Sequence, residues 1–100
     1  MTIYPNSWYI DSVAYAVGWK KKLEKSIRKM PQKEQVKFAQ LVYDLNENGP
    51  VQKKWPNYSK LGHNEYHCHL SYHWVACWKN EEDSIIIEVY YVGSREGAPY

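Results

Sequence analysis

The spacing of apolar residues changes from a helical to a strand-like period along the chain. From Trp19 to Met30 and from Gln32 to Asn48, apolar residues recur every three or four positions, which predicts two amphipathic helices. Pro31 separates the two segments and Gly49-Pro50 ends the second, so we expect a helical hairpin. The apolar stripes are Trp19, Leu23, Ile27 and Met30, then Val36, Ala39, Leu41, Val42 and Leu45.

Alternation with a period of two begins at Tyr66 and predicts strands. Residues 66–79 form either one bent strand or two, and Ser84 to Val92 form another, with Ile85, Ile87, Val89 and Tyr91 on one face. Residues 7–17 favour a first strand, although a helix starting near Ser12 is an alternative. The expected architecture is an α+β domain over residues 1–100, with an N-terminal strand and a helical hairpin packed on a small, mainly antiparallel sheet.

Composition narrows the class of protein. The 100 residues are 44% hydrophobic and 24% charged, as in an ordinary folded domain, and the net charge of +2 excludes nucleic-acid binding through bulk charge alone. Residues 1–60 carry 11 basic and 5 acidic side chains, whereas residues 61–100 carry 2 basic and 6 acidic side chains.

The sequence also indicates where the protein is located. We find no membrane-spanning stretch and no signal peptide, and we therefore expect a cytoplasmic protein. Cys68 and Cys77 are expected to be buried thiols.

Three of the four histidines, His67, His69 and His73, occupy odd positions in the strand-like segment. Odd positions of one strand share a face, so these side chains are expected to project together. Such a cluster can supply a base, an acid and a cation near neutral pH. With Arg95, it has the residue types for metal-independent cleavage of an RNA phosphodiester. A solvated polar sheet face without chemistry is the alternative.

A metal site is a less favoured interpretation of the same residues. His-x-His on a strand can bind zinc, and His63 or Cys77 could add a ligand, but the spacing matches no closed structural site. We therefore expect no metal and no cofactor.

Basic residues elsewhere are weaker indications of a binding surface. The lysines and arginine between Lys20 and Lys33 fit the solvated face of a helix. Lys53, Lys54 and Lys60 precede the histidine segment in a loop and are candidate RNA contacts. We expect Tyr72, Tyr90 and Tyr91 to serve in packing.

The C-terminal third resembles the RelE/ParE toxin superfamily in the order of its short motifs. These are Lys60-Leu61-Gly62, Tyr66-His67-Cys68-His69-Leu70, Tyr72-His73-Trp74-Val75, Ile85-Ile86-Ile87-Glu88-Val89 and Val92-Gly93-Ser94-Arg95-Glu96. The helical hairpin also fits the family. The resemblance implies a RelE-like fold and an mRNA endonuclease that acts free or on the ribosome and is held inactive by a cognate antitoxin protein.

The resemblance also implies roles for individual residues. His67 and His69 stand where RelE-like nucleases place two basic residues of the site, and His73 stands where they place an arginine. Arg95 matches the arginine that follows Val-Gly-x, beside the scissile phosphate. Tyr100 lies near the C-terminal aromatic residue that stacks on a base or assists proton transfer, one residue short in spacing.

Two other functions share the same fold. One is a ParE-like toxin that poisons DNA gyrase without cutting RNA, and the other is a non-catalytic interaction domain. The histidine cluster favours the nuclease over both, because the gyrase toxins are not built around acid–base residues.

Overall fold

The computed structural model describes residues 14–100, in which two helices precede most of a five-stranded sheet. Helices α1 (Leu23–Lys29) and α2 (Gln32–Asn48) follow a short strand, β1 (Ala16–Gly18). The remaining strands are β2 (Ser59–Lys60), β3 (Glu65–His69), β4 (Trp74–Lys79) and β5 (Ile86–Ser94), and a 3₁₀ turn, Arg95–Gly97, follows the last. The part of the expected first strand that lies in residues 7–13 is outside the described residues.

The strand order is β1-β5-β4-β3-β2, and every neighbouring pair is antiparallel except β1 with β5. The predicted α+β architecture with a mainly antiparallel sheet is therefore confirmed. Residues 66–79 form two strands of a hairpin rather than one bent strand. Strand β2 was not predicted, because two residues carry no periodic signal and this strand depends on pairing with β3.

The core lies between the helices and one face of the sheet. Trp78 is its largest fully buried side chain, and its indole Nε1 donates a hydrogen bond to the Pro50 carbonyl at 3.0 Å. Other core members are Leu23, Met30, Phe38, Leu41, Leu45, Tyr66, Cys68, Leu70, Ala76, Ile87, Val89 and Val92. Both cysteines are free and buried, as expected. Within residues 14–100, no helix has the length and apolar content needed to cross a membrane.

Helix α2 has the predicted bounds, but its buried stripe differs from the prediction. Glu34, Phe38, Leu41 and Leu45 face the core, whereas Val36 is 51% exposed. The buried positions follow an i, i+4, i+7, i+11 pattern that begins at Glu34, two residues before the expected stripe, and shares Leu41 and Leu45 with it. Helix α1 begins at Leu23 rather than Trp19. The Trp19 ring instead packs on Phe38, with centroids 5.3 Å apart, and its Nε1 donates to Glu24 Oε2.

A β-bulge corrects the predicted alternation of β5. Cys77 pairs with Tyr91 while Trp78 pairs with Val89, so Tyr90 is an extra residue on β5. As a result, Ile87, Val89 and Val92 share the core face, and Tyr91 lies with Cys77 on the other face. The expected grouping of Tyr91 with Ile87 and Val89 was wrong for this reason.

We expect Gly49→Ala to destabilise the fold. Gly49 ends α2 at φ 90°, and a Cβ there would lie 2.8 Å from the Tyr15 ring. Backbone strain of this kind costs about 1–3 kcal/mol, which corresponds to a fall in Tm of roughly 5–20 °C. Thermal unfolding followed by circular dichroism measures it. Gly62→Ala is the matched control, because nothing lies within 4 Å of its added Cβ. Equal Tm values for the two variants would contradict this account of Gly49.

Candidate functional site

His67 lies on β3, on the sheet face that the helices do not cover. It pairs with Ser59 of β2 on one side and Cys77 of β4 on the other. Its Nδ1 lies 3.0 Å from Ser59 Oγ, which fixes the ring orientation. The side chain is only 7% exposed. Burial, followed by the neighbouring His69, lowers the pKa of His67, and hydrogen bonding to Ser59 acts in the opposite direction.

His69 lies two residues along β3 and projects to the same face. The centroids of the His67 and His69 rings are 5.9 Å apart. Burial, followed by the charge of Arg95, lowers the pKa of His69. The predicted pairing of these two histidines on one face is therefore present, and both imidazoles are mainly neutral at neutral pH. A neutral imidazole is the form that can accept a proton.

Tyr100 covers His67 from the C-terminal end of the chain. Its ring is tilted by 53° against that of His67, with centroids 4.4 Å apart, although Tyr100 itself is 54% exposed. Burial, followed by Cys77, raises the pKa of Tyr100, so its hydroxyl keeps its proton at neutral pH. The structure thus places a proton donor beside a neutral imidazole.

Tyr91 positions the turn that carries Arg95. Its hydroxyl donates to the Ser94 carbonyl at 2.6 Å. A Cβ added at Gly93 or at Gly97 would lie 3.0 Å from the Tyr91 hydroxyl oxygen, so both glycines permit the close approach of this ring. The Arg95 backbone is held from the other side, because its N–H donates to the His73 carbonyl at 2.8 Å.

His73 does not join the other two histidines. It lies in the turn before β4, and its ring contacts Tyr72, with centroids 4.6 Å apart. The Arg95 guanidinium also lies over the Tyr72 ring, 5.0 Å from its centroid. The site therefore has two parts: the imidazole pair, made of His67, His69 and Tyr100, and the arginine corner, made of Tyr72, His73 and Arg95.

The three candidate RNA-binding lysines lie away from the imidazole pair. Lys60 pairs with Tyr66, and its Nζ lies 5.9 Å from the Tyr66 ring centroid on the opposite face of the sheet from His67. Lys53 and Lys54 line a groove with Trp55 and Asp44 at the end of α2. Trp55 Nε1 donates to Asp44 Oδ2 at 2.8 Å, which attaches this loop to the helix.

Three features of the site carried little or no sequence signal. Ser59 lies in a short loop-like segment and is recognisable only from its pairing with His67. Tyr72 was expected to pack, but it is 72% exposed. Tyr90 was also expected to pack, but it lies on the histidine face, and its hydroxyl donates to Glu65 Oε1 at 3.0 Å. Among residues 14–100, no three His, Cys, Asp or Glu side chains are grouped as a metal site would require.

Comparison of the whole chain with known proteins gives its fold. No protein-family model and no curated sequence matches it. Among solved structures, isolated Escherichia coli RelE toxin aligns with a TM-score of 0.67 at 16% identity, covering 86% of this chain and 89% of RelE. The fold is that of the RelE-like toxins.

Two toxin–antitoxin complexes share this RelE-like fold. The archaeal RelE–RelB complex from Pyrococcus horikoshii OT3 has a TM-score of 0.67 at 15% identity, over 85% of this chain and 99% of the matched chain. The E. coli DinJ–YafQ complex has a TM-score of 0.69 at 12% identity, over 88% and 100%. These TM-scores establish the architecture predicted from the motif order, and the low identities leave the chemistry to be argued from the residues of this chain.

The lowered pKa values of His67 and His69 predict how stability of this RelE-like fold depends on pH. As pH falls through the ordinary histidine range, the unfolded chain binds protons before the folded chain does. The free energy of unfolding should therefore decrease from pH 7.5 to pH 5. We expect a shallower decrease for a variant carrying both His67→Gln and His69→Gln, measured by urea unfolding at each pH. An identical slope for the two proteins would contradict the assigned shifts.

Removal of the Tyr100 ring should expose His67. We expect Tyr100→Ala to increase the rate of His67 modification by diethylpyrocarbonate several-fold, followed by mass spectrometry of the modified peptide. Tyr43→Ala is the control, since Tyr43 is an exposed tyrosine of α2. An unchanged His67 rate in Tyr100→Ala would show that this ring does not shield the imidazole.

Proposed function

We propose that this protein is the toxin of a toxin–antitoxin module and cleaves mRNA without a metal, on the ribosome. The observation that carries the proposal is the pair of neutral imidazoles, His67 and His69, beside Arg95 on the helix-free face of a RelE-like sheet. Its site of action would be the cytoplasm. The RelE/ParE motif order in residues 60–100 supports the same activity.

In the proposed reaction, the imidazole pair supplies the base. When Nδ1 of His67 carries a proton, it donates to Ser59 Oγ, and Nε2 retains the lone pair that accepts a proton. A 2′-hydroxyl of the RNA gives up its proton to this nitrogen, and its oxygen attacks the adjacent phosphorus. Burial and the positive charge of Arg95 disfavour protonation of His69, and a proton on either imidazole disfavours a second proton on the other.

Arg95 and Tyr100 complete the proposed step. The P–O5′ bond breaks as the new P–O2′ bond forms, which leaves a 2′,3′-cyclic phosphate. Arg95 stabilises the negative charge that develops on the phosphoryl oxygens, with His73 beside it in the arginine corner. The Tyr100 hydroxyl, which keeps its proton, gives it to the departing 5′-oxygen. Lys53, Lys54 and Lys60 are proposed to contact RNA phosphates outside the cleaved bond.

A cognate antitoxin is the proposed protein partner. Two similar structures are complexes of a toxin with its antitoxin, RelE with RelB and YafQ with DinJ. In this chain, the exposed side of α1 is basic, with Lys25, Arg28 and Lys29. An acidic or amphipathic antitoxin segment that covers these residues or the histidine face would suit the charge.

Mapping of transcript ends in cells tests the proposed function. We expect expression of the protein to produce new 5′ ends within coding sequences, and to lose them in the variant carrying both His67→Gln and His69→Gln. Arrested replication without new ends would instead support gyrase poisoning. Growth without any effect would support a non-catalytic interaction domain.

Arg95→Ala should cost more activity than either single histidine substitution. Loss of one preorganised charge-stabilising group typically reduces kcat about 100- to 1000-fold, whereas a single histidine variant keeps the other imidazole as a base. Single-turnover cleavage of a ribosome-bound message measures each rate. Arg95→Lys, which keeps the charge, should recover part of the activity. Cleavage by Arg95→Ala as fast as by the wild type would overturn the role of Arg95.

A further inference from the structure

The turn between β3 and β4 presents an aromatic ring to solvent at the edge of the site. Tyr72 is 72% exposed, more than any other large apolar or aromatic side chain described as exposed. The turn itself is well fixed, because Leu70 N–H donates to the Trp74 carbonyl at 2.7 Å and Ser71 N–H donates to the same oxygen at 3.2 Å. A ring that served in packing would be buried, as Tyr66 is at 7% exposure.

Two side chains orient the Tyr72 ring without covering it. The His73 ring stands at 73° to it, with centroids 4.6 Å apart, and the Arg95 guanidinium lies over it at 5.0 Å. A guanidinium over an aromatic ring is attractive and limits the motion of both groups. With both groups in place Tyr72 is still mostly exposed, so much of its surface remains available to a ligand.

We propose that Tyr72 is a stacking platform for one unpaired nucleobase of the RNA that the site cleaves. Unpaired bases stack readily on exposed aromatic side chains, and every base offers a flat face for this contact. Arg95, which contacts the same ring, is the group proposed to hold the cleaved phosphate, so a nucleotide attached to that phosphate can place its base on Tyr72. The inference rests on the proposed RNA-cleaving function and adds a positioning residue to it.

Tyr72 and Tyr100 then occupy the two parts of the site. Tyr100 contacts the imidazole pair through His67, whereas Tyr72 contacts the arginine corner. A strand of RNA whose cleaved phosphate lies between His67 and Arg95 would therefore have the Tyr100 hydroxyl on one side and the Tyr72 ring on the other. Stacking of a base on Tyr72 would help to hold the 2′-hydroxyl and the leaving oxygen in line, which is the geometry that the attack requires.

Binding of an uncleavable RNA separates this role from catalysis. The probe is a single-stranded 2′-O-methyl oligonucleotide, which lacks the attacking hydroxyl, with 2-aminopurine placed at each position in turn. We expect the fluorescence at one position to be quenched by the wild type and by Tyr72→Phe, and to remain unquenched with Tyr72→Leu. Binding by Tyr72→Leu should be weaker by roughly 5- to 100-fold, the usual effect of losing one stacked base. Tyr43→Leu, the matched exposed tyrosine on α2, should bind as the wild type does.

Three results of this binding experiment would overturn the proposed stacking role of Tyr72. Equal binding and equal quenching by Tyr72→Leu and the wild type would overturn it, and so would a wild type that does not bind the oligonucleotide. Equal loss in Tyr72→Leu and Tyr43→Leu would also overturn it, since the effect would then not be specific to this ring. The proposed function is tested separately on unmodified, ribosome-bound mRNA. Position-specific quenching of the oligonucleotide without cleavage of that mRNA would refute the nuclease and keep the role of Tyr72 in binding RNA.

Discussion

Burial of Trp78 determines which face of the sheet carries the histidines. The indole is fully buried, stacks on Tyr66 and Tyr58, and donates to the Pro50 carbonyl. Truncation of a buried tryptophan typically costs about 3–5 kcal/mol, so this contact fixes the register of β4 firmly. Because side chains alternate along a strand, Cys77 must then face the other way, and its partner His67 with it. A slip of one residue would bury the imidazoles among the helices.

The same constraint explains why the imidazoles are neutral. His67 is flanked on β3 by β2 and β4, and Tyr100 covers it. Burial disfavours the charged form of histidine, and the neighbouring imidazole and Arg95 disfavour it further. The site therefore combines proton-accepting groups with a separate cation, Arg95, rather than relying on protonated histidines. Because one arginine supplies the positive charge at the site, a formal net charge of only +2 is compatible with the proposed cleavage of RNA.

Local signals in the sequence predicted the parts of the fold that local forces determine. Pro31 and Gly49-Pro50 limit α2 at both ends, and the prediction of its bounds is confirmed. Alternation within a single strand was enough to place His67 and His69 together. In contrast, the turn before β4 separates His73 from them, and the β-bulge opposite Cys77 moves Tyr91 to the other face. Neither the turn nor the β-bulge can be recognised from the spacing of apolar and polar residues in the sequence.

Contacts between distant segments of the chain could not be predicted from the sequence either. The approach of Tyr100 to His67 joins residues 33 positions apart, and the segment between them includes Gly93 and Gly97, against which Tyr91 packs. The exposure of Tyr72 follows from a tight turn whose length the sequence left open. Motif order nevertheless predicted the RelE-like fold, because the spacing of short strands and turns is determined by the fold as a whole.

The chemical nature of the cut ends tests the central claim most directly. Purified protein would be given ribosome-bound mRNA, and the termini of the products would be identified by mass spectrometry. Attack by the 2′-hydroxyl with a histidine base predicts 2′,3′-cyclic or 3′-phosphate ends with 5′-hydroxyl partners, produced by the wild type and absent with the double histidine variant. Products with 5′-phosphate ends, or equal cleavage by that variant, would contradict the account.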